Sequence, residues 1–317
     1  MKHFIGVDVS KHQLDVDWLN KPVCFDNNQH GISKLIKKLK ELNEALVLVI
    51  CEASGGYEQK MVKACHQANL PIHVAHANKI RNFAKSKGLK AKTDKLDSRV
   101  LSEYAKALQP KPDTLMLGKN ALKIRELLKR REQLQKDRKR EKCRLDKNDD
   151  KNILDSINEH IDWLDDSIKK IDSQLAELQK ENDISDDYTL LTSIPGIGEL
   201  SAYQIISFLP EIGKVSNKAI ASLTGVAPFN HDSGNYQGKR YIQGGRKNLR
   251  HSLYMAALTS TRYNPELKIF YQRLIEAGKS AKVAIIAVMR KLLSVVNSVM
   301  KRRTNWESNY KKIGVFC

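Results

Sequence analysis

The sequence predicts an α/β N-terminal domain, then a pair of long helices, then a mostly α C-terminal unit. Three observations carry this reading. Short β-rich runs alternate with amphipathic stretches over the first hundred residues. An apolar seam at heptad spacing runs through 150–181. From Tyr188 onward, helices of ordinary polarity are joined by Gly- and Pro-containing turns. At 317 residues the chain is too long for one small core and suggests two or three domains. The boundaries fall at 1–112, 113–187 and 188–317, with the PKP of 110–112 closing the first.

The first domain begins with three runs of strand character, FIGVDV (4–9), LDVDWL (14–19) and KPVCFDN (21–27), before any helix. GISKLIKKLKEL (31–42) then places Ile32, Leu35, Ile36 and Leu39 at helical spacing. LVLVI (46–50) is continuously apolar, as expected of a strand covered on both faces. A helix near 57–68, a strand in PIHVAHA (71–77) and helices near 78–86 and 95–107 complete the series. The order βββαβαβα resembles that of an RNase H-like (RuvC-like) domain.

The central segment predicts two polar helices, near 116–146 and 150–181. In the second, Leu154, Ile157, Ile161, Leu164, Ile168, Ile171, Leu175 and Leu178 form an uninterrupted seam of coiled-coil type. In the first, Arg131 and Arg138 break the corresponding seam. A helical hairpin or a dimer seam fits both.

Charge narrows the partners. The chain carries net +19 with an isoelectric point near 9.6, which favours a polyanion, nucleic acid before a membrane surface. The charge is uneven: net +8 over 1–120, +7 over 121–147, −9 over 148–187 and +13 over 188–317. No apolar run is expected to reach the roughly 18 residues of a spanning helix, and the N-terminus MKHFIGVDV lacks a signal-peptide layout. A cytoplasmic protein without membrane partners is the expectation. Cys24, Cys51, Cys65, Cys143 and Cys317 are odd in number, widely spaced and without a CxxC pair, against both a disulfide framework and structural zinc.

In this topology the first strand is central and its acid, Asp8, points at the active edge. Glu52 follows the buried strand beside it. Asp94 and Asp97 open the last helix at i, i+3 spacing, on one face. Each has an ordinary alternative: a turn for Asp8, a strand end for Glu52, helix capping for Asp94 and Asp97. Together they would repel by roughly 3 kcal/mol per pair at about 6 Å in an effective dielectric of 20. A cation relieves this, and oxygen-only ligands select Mg2+ or Mn2+. Asp15, Asp17 and Glu58 are expected to face solvent.

In the C-terminal unit, LLTSIPGIGELSAYQII (190–206) resembles a helix-hairpin-helix. Its turn would offer backbone N–H groups at Gly196 and Gly198 to a DNA phosphate; interhelical packing is the competing reading. PFNHDSGNYQGKRYIQGGRKNLR (228–250) is a polar, glycine-rich loop before a helix. Lys239, Arg240, Arg246, Lys247 and Arg250 cluster there, an unfavourable charge for a helix N-terminus that a bound phosphate would reverse.

GVDVSK (6–11), EASGGYE (52–58), AKTDKLDSRVLSEYA (91–105), SIPGIG (193–198) and GVAPFNHDSG (225–234) with GGRK (244–247) occur in this order along nearly the whole chain. The set resembles the insertion sequence 110 family of transposases, the DEDD transposases related to the invertase Piv. The resemblance implies that Asp8, Glu52, Asp94 and Asp97 are the catalytic, metal-binding acids and that Ser233 is a catalytic serine attacking a DNA phosphate. It implies excision and insertion of an element, donor and target double-stranded DNA as substrates, and a noncoding bridge RNA as guide. It also implies a homo-oligomer, dimer or tetramer, with an active site shared between subunits. Two other readings compete: a metal-dependent nuclease of Holliday-junction type with a structural serine, and a non-catalytic nucleic-acid-binding protein.

Overall fold

A five-stranded mixed sheet organises the first of two units, Met1–Met116 and Leu117–Cys317. The computed structural model describes residues 3–42, 47–88, 94–112, 117–229, 232–233, 236–238 and 240–308; for 94–96, 232, 233, 236 and 237 it describes the backbone alone. The first unit runs β1 (His3–Val9), β2 (Gln13–Trp18), β3 (Lys21–Asp26), α1 (Gln29–Lys40), β4 (Val47–Glu52), α2 (Gln59–Gln67), β5 (Ile72–Ala75), α3 (Ala77–Ser86) and α4 (Asp94–Leu108). The sheet order is β3-β2-β1-β4-β5. β1, β2 and β3 pair antiparallel, and β4 and β5 add parallel to β1. This is the RNase H-like arrangement the order of elements predicts.

Alternation along the strands sorts the side chains into two layers. Ile5, Val7, Val9, Val47, Val49 and Cys51 enter one core with Ile32, Leu35 and Leu39 of α1 and Met61 and Cys65 of α2. Phe4, Leu48 and Ile50 enter the opposite core with Leu101, Tyr104 and Ala105 of α4. On that second face α4 seats directly on Gly6. A Cβ at Gly6 would lie 2.0 Å from the Ser98 carbonyl oxygen and 2.7 Å from the Ser102 nitrogen. The Gly6 N–H donates to Ser102 Oγ at 2.8 Å. Two acids expected to face solvent are buried instead, Asp17 at 5% exposure and Glu58 at 9%. Asp17 pairs with Gly6 in the sheet and so lies on the face that α4 covers.

The second unit opens with α5 (Lys119–Leu145) and α6 (Lys151–Leu178). Polar contacts between the helices fix their direction: Arg131 pairs with Asp172 at 2.6 Å and Arg138 with Asp165 at 2.7 Å, and Glu141 lies 3.2 Å from His160. Numbers rise on one helix as they fall on the other, so the hairpin is antiparallel. The α6 seam from Ile161 to Leu178 is buried, while Leu154 and Ile157 are half-buried near the hairpin's connection. Its partners include Ile124, Leu128 and Leu134 of α5 in the same chain. Arg131 and Arg138 interrupt the α5 seam because each reaches an aspartate on α6, seven residues apart on both helices. These pairs are half-buried, and they fix the register of the two helices.

The hairpin's core is continuous with that of the helices that follow: α7 (Asn182–Thr192), α8 (Glu199–Phe208), α9 (Asn217–Thr224), α10 (Lys247–Tyr263), α11 (Pro265–Glu276) and α12 (Ala281–Arg302). Four two-residue strands lie between α9 and α10: β6 (Pro228–Phe229), β7 (Asp232–Ser233), β8 (Tyr236–Gln237) and β9 (Tyr241–Ile242). Contrary to the sequence expectation, α12 is long and apolar enough by composition to cross a membrane, with mean hydropathy 1.8 over its best window. Here it is a packed core helix, burying Ile285, Val288, Leu292, Leu293 and Val296. Its buried Asn297 accepts from the Gly213 N–H at 2.7 Å and donates to the Val215 carbonyl at 3.0 Å and Asn217 Oδ1 at 2.8 Å.

Gly6→Ala forces backbone against backbone where α4 crosses β1. We expect it to destabilise the protein by about 1–3 kcal/mol, the usual cost of overpacking, in urea unfolding followed by circular dichroism.

Candidate active site

The acids converge through sheet register. The β1–β4 ladder pairs Gly6 with Ile50 and Val7 with Cys51; one step further sets Asp8 opposite Glu52. On the other side, Asp8 pairs with Asp15 of β2. Three acidic residues therefore stand in register across β2, β1 and β4, on one face, with their backbones at strand spacings of about 5 Å. Each is half-buried. Two carboxylate charges held at such a spacing would repel by about 3 kcal/mol in an effective dielectric of 20. The field is felt next door: partial burial, then the Asp15 charge and its hydrogen bond, raise the pKa of the Cys24 thiol, which pairs with Asp15 from β3. Asp15 is the acid that sequence reasoning set aside. The signal was the seven-residue separation from Asp8 across a tight antiparallel turn.

Helix α4 brings the other two acids. Leu101, Tyr104 and Ala105 share the core of Phe4, and Ser98 and Ser102 lie over Gly6. The helix thus descends as β1 rises, and its N-terminal turn lies at the Asp8 end. Asp97 is half-buried in that turn. Asp94 is the first residue of α4; its side chain lies outside the described residues. Among the described residues no group of three or more His, Cys, Asp or Glu side chains could hold a metal ion. The donors at this edge are all carboxylate oxygens, the chemistry that suits a hard divalent cation.

The surrounding loops are tied together. Asn27, buried, donates to the Ser10 carbonyl at 2.8 Å and the Tyr57 carbonyl at 3.2 Å. It thereby links the turn after β1 to the loop after β4. Glu58 accepts from the N–H groups of Ser54 and Gly56 at 3.1 and 2.9 Å and from Ser54 Oγ at 3.1 Å. This shapes residues 53–58 beside Glu52, and it explains why Glu58 is buried.

Among the described residues, the loop expected at 228–250 contains two short antiparallel ladders. Pro228 and Phe229 pair with Ile242 and Tyr241, and Asp232 and Ser233 pair with Gln237 and Tyr236. The register shifts by one residue between the two ladders. Ser233 pairs with Tyr236; its side chain lies outside the described residues, as does Lys239 altogether. Glycines anchor the base of the loop. Gly225 caps α9 in the left-handed region at φ 72°. A Cβ there would come within 2.1 Å of the Gly244 carbonyl oxygen, and one at Gly245 within 2.2 Å of the Gly225 nitrogen.

The basic cluster divides. Arg246 was expected to bind phosphate, but its guanidinium is committed to the fold. It donates to both oxygens of Glu211 and, at 2.8 Å, to the Phe208 carbonyl. Arg250 donates to the carbonyls of Gly225 and Gly244. Arg240 and Lys247 are exposed. Burial opposes the Glu211 carboxylate, but the Arg246 hydrogen bonds and charge, with smaller help from its own backbone N–H and Arg125, outweigh it and lower its pKa. In the PGIG turn, Gly196 adopts φ 103°, and a Cβ there would lie 2.0 Å from Ser260 Oγ of α10. Ser260 also donates to the Pro195 carbonyl at 3.2 Å. Packing thus accounts for Gly196. Gly198 caps α8 beside open space, with Glu199 in the first helical turn, a charge that opposes a phosphate there.

An RNase H-like sheet with a row of acids at the ends of its central strands, joined to a helical unit with a basic loop, defines an enzyme that acts on nucleic acid. Comparison with known proteins makes this specific. Residues 5–157 match a DEDD transposase domain of the IS110 type, and residues 188–272 match the transposase family IS116/IS110/IS902. The pilin gene-inverting proteins of Moraxella lacunata and Moraxella bovis are each 30% identical, over 95% of this chain and 96% of theirs. An uncharacterized 43.6 kDa protein of insertion element IS110 from Streptomyces coelicolor is 25% identical over 44% of this chain and 34% of its own length. The chain belongs to the IS110/IS116/IS902 family. It is a transposase or recombinase that binds, cleaves and joins DNA, and its DEDD domain implies divalent-metal-dependent catalysis.

Glu211→Gln removes the charge that Arg246 holds. We expect a loss of about 2 kcal/mol at pH 7, the scale of charge-assisted hydrogen bonds. Because the folded carboxylate titrates below its unfolded value, the difference from the unsubstituted protein is fully present above the unfolded pKa, near 4.3. It disappears as pH falls through the folded value. Urea unfolding across pH 3–7 reads both.

Proposed function

We propose that the chain excises and inserts DNA through a divalent cation held by Asp8, Glu52, Asp94 and Asp97 and a nucleophilic Ser233. The acids that share one face at the ends of β1 and β4 carry this reading, since an all-carboxylate donor set suits a hard divalent cation. The motif order around Ser233 supports the serine. A bound Mg2+ or Mn2+ would polarise the phosphodiester.

The protein's own steps balance without an energy source. Ser233 Oγ bonds to phosphorus as the bond to a deoxyribose oxygen breaks, and the serine proton ends on the released hydroxyl. A new hydroxyl then reverses the step and rejoins the strand. Arg240, Lys247 and Lys239 serve as backbone contacts beside the reacting phosphate. Guidance by a noncoding bridge RNA pairing with donor and target DNA, a homo-oligomer with an acid site shared between subunits, and action in the cytoplasm complete the proposal. Inversion of a resident segment is a second reading. It is favoured by likeness over nearly the whole chain to relatives named for inverting a pilin gene, and it uses the same cutting and rejoining.

Asp8→Asn is expected to abolish strand cleavage on a donor-end substrate while DNA binding persists; cleavage at the original rate contradicts the acid site. A protein–DNA adduct that survives denaturation should map by peptide sequencing to Ser233 and vanish in Ser233→Ala. An adduct that persists in that variant contradicts the serine mechanism. Lys247→Ala should leave stability within about 0.5 kcal/mol. It should also lower the salt dependence of DNA binding by about one counterion, read by anisotropy titrations at several salt concentrations.

A further inference from the structure

We propose that the outer face of the α5–α6 hairpin, near its connection, binds a single-stranded nucleic-acid segment, with phosphates along α5 and a base stacked on Trp163. Two surface depressions adjoin there. One is lined by Lys136, Lys139, Arg140, Cys143, Arg144 and Lys147. The other is bordered by Arg130, His160 and Trp163, with Asp137 and Glu141 also in its lining. Both include Arg140 and Arg144, so they form one continuous surface.

Hairpin packing does not require these cations. Its apolar contacts use Ile124, Leu128 and Leu134, and its cross-helix ion pairs use Arg131 and Arg138. The lysines and arginines of the stripe are all exposed. Lys136, Arg140 and Arg144 stand at successive i, i+4 positions, where like charges destabilise a helix. Glu132 and Asp137 pair with Lys136 and Arg140 at the surface, where such pairs contribute little, and the buried Glu141 holds Arg144. A polyanion removes the repulsion. From Lys136 to Arg144 the stripe rises about 12 Å along the helix, with Lys147 just past its end, long enough for a run of successive phosphates.

Trp163 supplies the second half of the recognition. It is 57% exposed, and its ring lies 6.0 Å from that of His160. An exposed indole beside arginines is the arrangement on which an unstacked base sits, and such stacking is tolerant of sequence. A duplex hides its base faces, so the site selects single strands. The exposed acids Asp155, Glu159, Asp162 and Asp166 on α6 repel phosphates and confine the backbone to the α5 side. RNA and DNA strands share the chemistry used here. This inference rests on the nucleic-acid-processing reading above but uses neither the acids of the sheet nor Ser233.

The test uses full-length protein and fluorescein-labelled 12-nucleotide pyrimidine strands of RNA and of DNA, with a 12-base-pair duplex as control, in anisotropy titrations at several salt concentrations. Lys136→Ala, Arg140→Ala and Lys147→Ala combined should weaken single-strand binding about tenfold or more and flatten its salt slope by about two, at roughly 0.7 per lost phosphate contact. Trp163→Ala should weaken it about tenfold with little change for the duplex, and Trp163→Phe should retain most of the binding. The tighter of the RNA and DNA arms identifies the strand. Circular dichroism melting confirms that the variants fold. Unchanged single-strand affinity and slope in folded variants overturn the proposal, as does a change confined to oligomeric state in sedimentation, which would make the face a contact with a second copy. Either result leaves the proposed function standing. If the unsubstituted protein binds no nucleic acid at all, that reading fails as well.

Discussion

The placement of the acids depends on one close contact, the crossing of α4 over Gly6. A side chain at position 6 would drive the helix off the sheet; without one, the Ser98 carbonyl meets the strand and Ser102 Oγ accepts the Gly6 N–H. That contact fixes the height of α4 along β1, and with it the position of the helix's first turn at the Asp8 end. Register does the rest, since the parallel ladder sets Asp8 opposite Glu52 and the antiparallel ladder adds Asp15. The loops that follow β1 and β4 are joined by Asn27 and shaped by Glu58, so the acids stand on a rigid rim.

The second unit solves a different problem, holding a short polar loop without a core of its own. The interlocked Gly225, Gly244 and Gly245 close its base, and Arg246 locks the start of α10 to Glu211 and the end of α8. Two of the basic groups near Ser233 are therefore structural, and the exposed Arg240 and Lys247 remain at the surface. The same division runs through the hairpin, where Arg131 and Arg138 set register while the outer stripe of lysines and arginines takes no part in packing.

Much of this was legible in the sequence where a pattern repeats. The five strands, their covered central pair and the heptad seam of α6 follow from periodicity, and Asp8, Glu52 and Asp97 follow from strand order. What escaped depends on distant partners. Arg246 reads as a phosphate ligand until Glu211, 35 residues earlier, is brought against it. Asp17 and Glu58 read as surface acids because their burial comes from a helix and a loop packed elsewhere. The two-residue strands around Ser233 are too short for any period to appear. The apolar character of α12 was hidden by Arg290, Lys291 and Asn297 within it.

The central claim is that the carboxylates gathered at the ends of β1 and β4 form one divalent-cation site. Mn2+ binding by the full-length protein, followed by electron paramagnetic resonance of the unbound ion, tests it most directly. The account predicts saturable binding that Asp8→Asn and Glu52→Gln each weaken at least tenfold, with competition by Mg2+ and no loss of folded structure. Binding of equal strength and stoichiometry in both folded variants would contradict it.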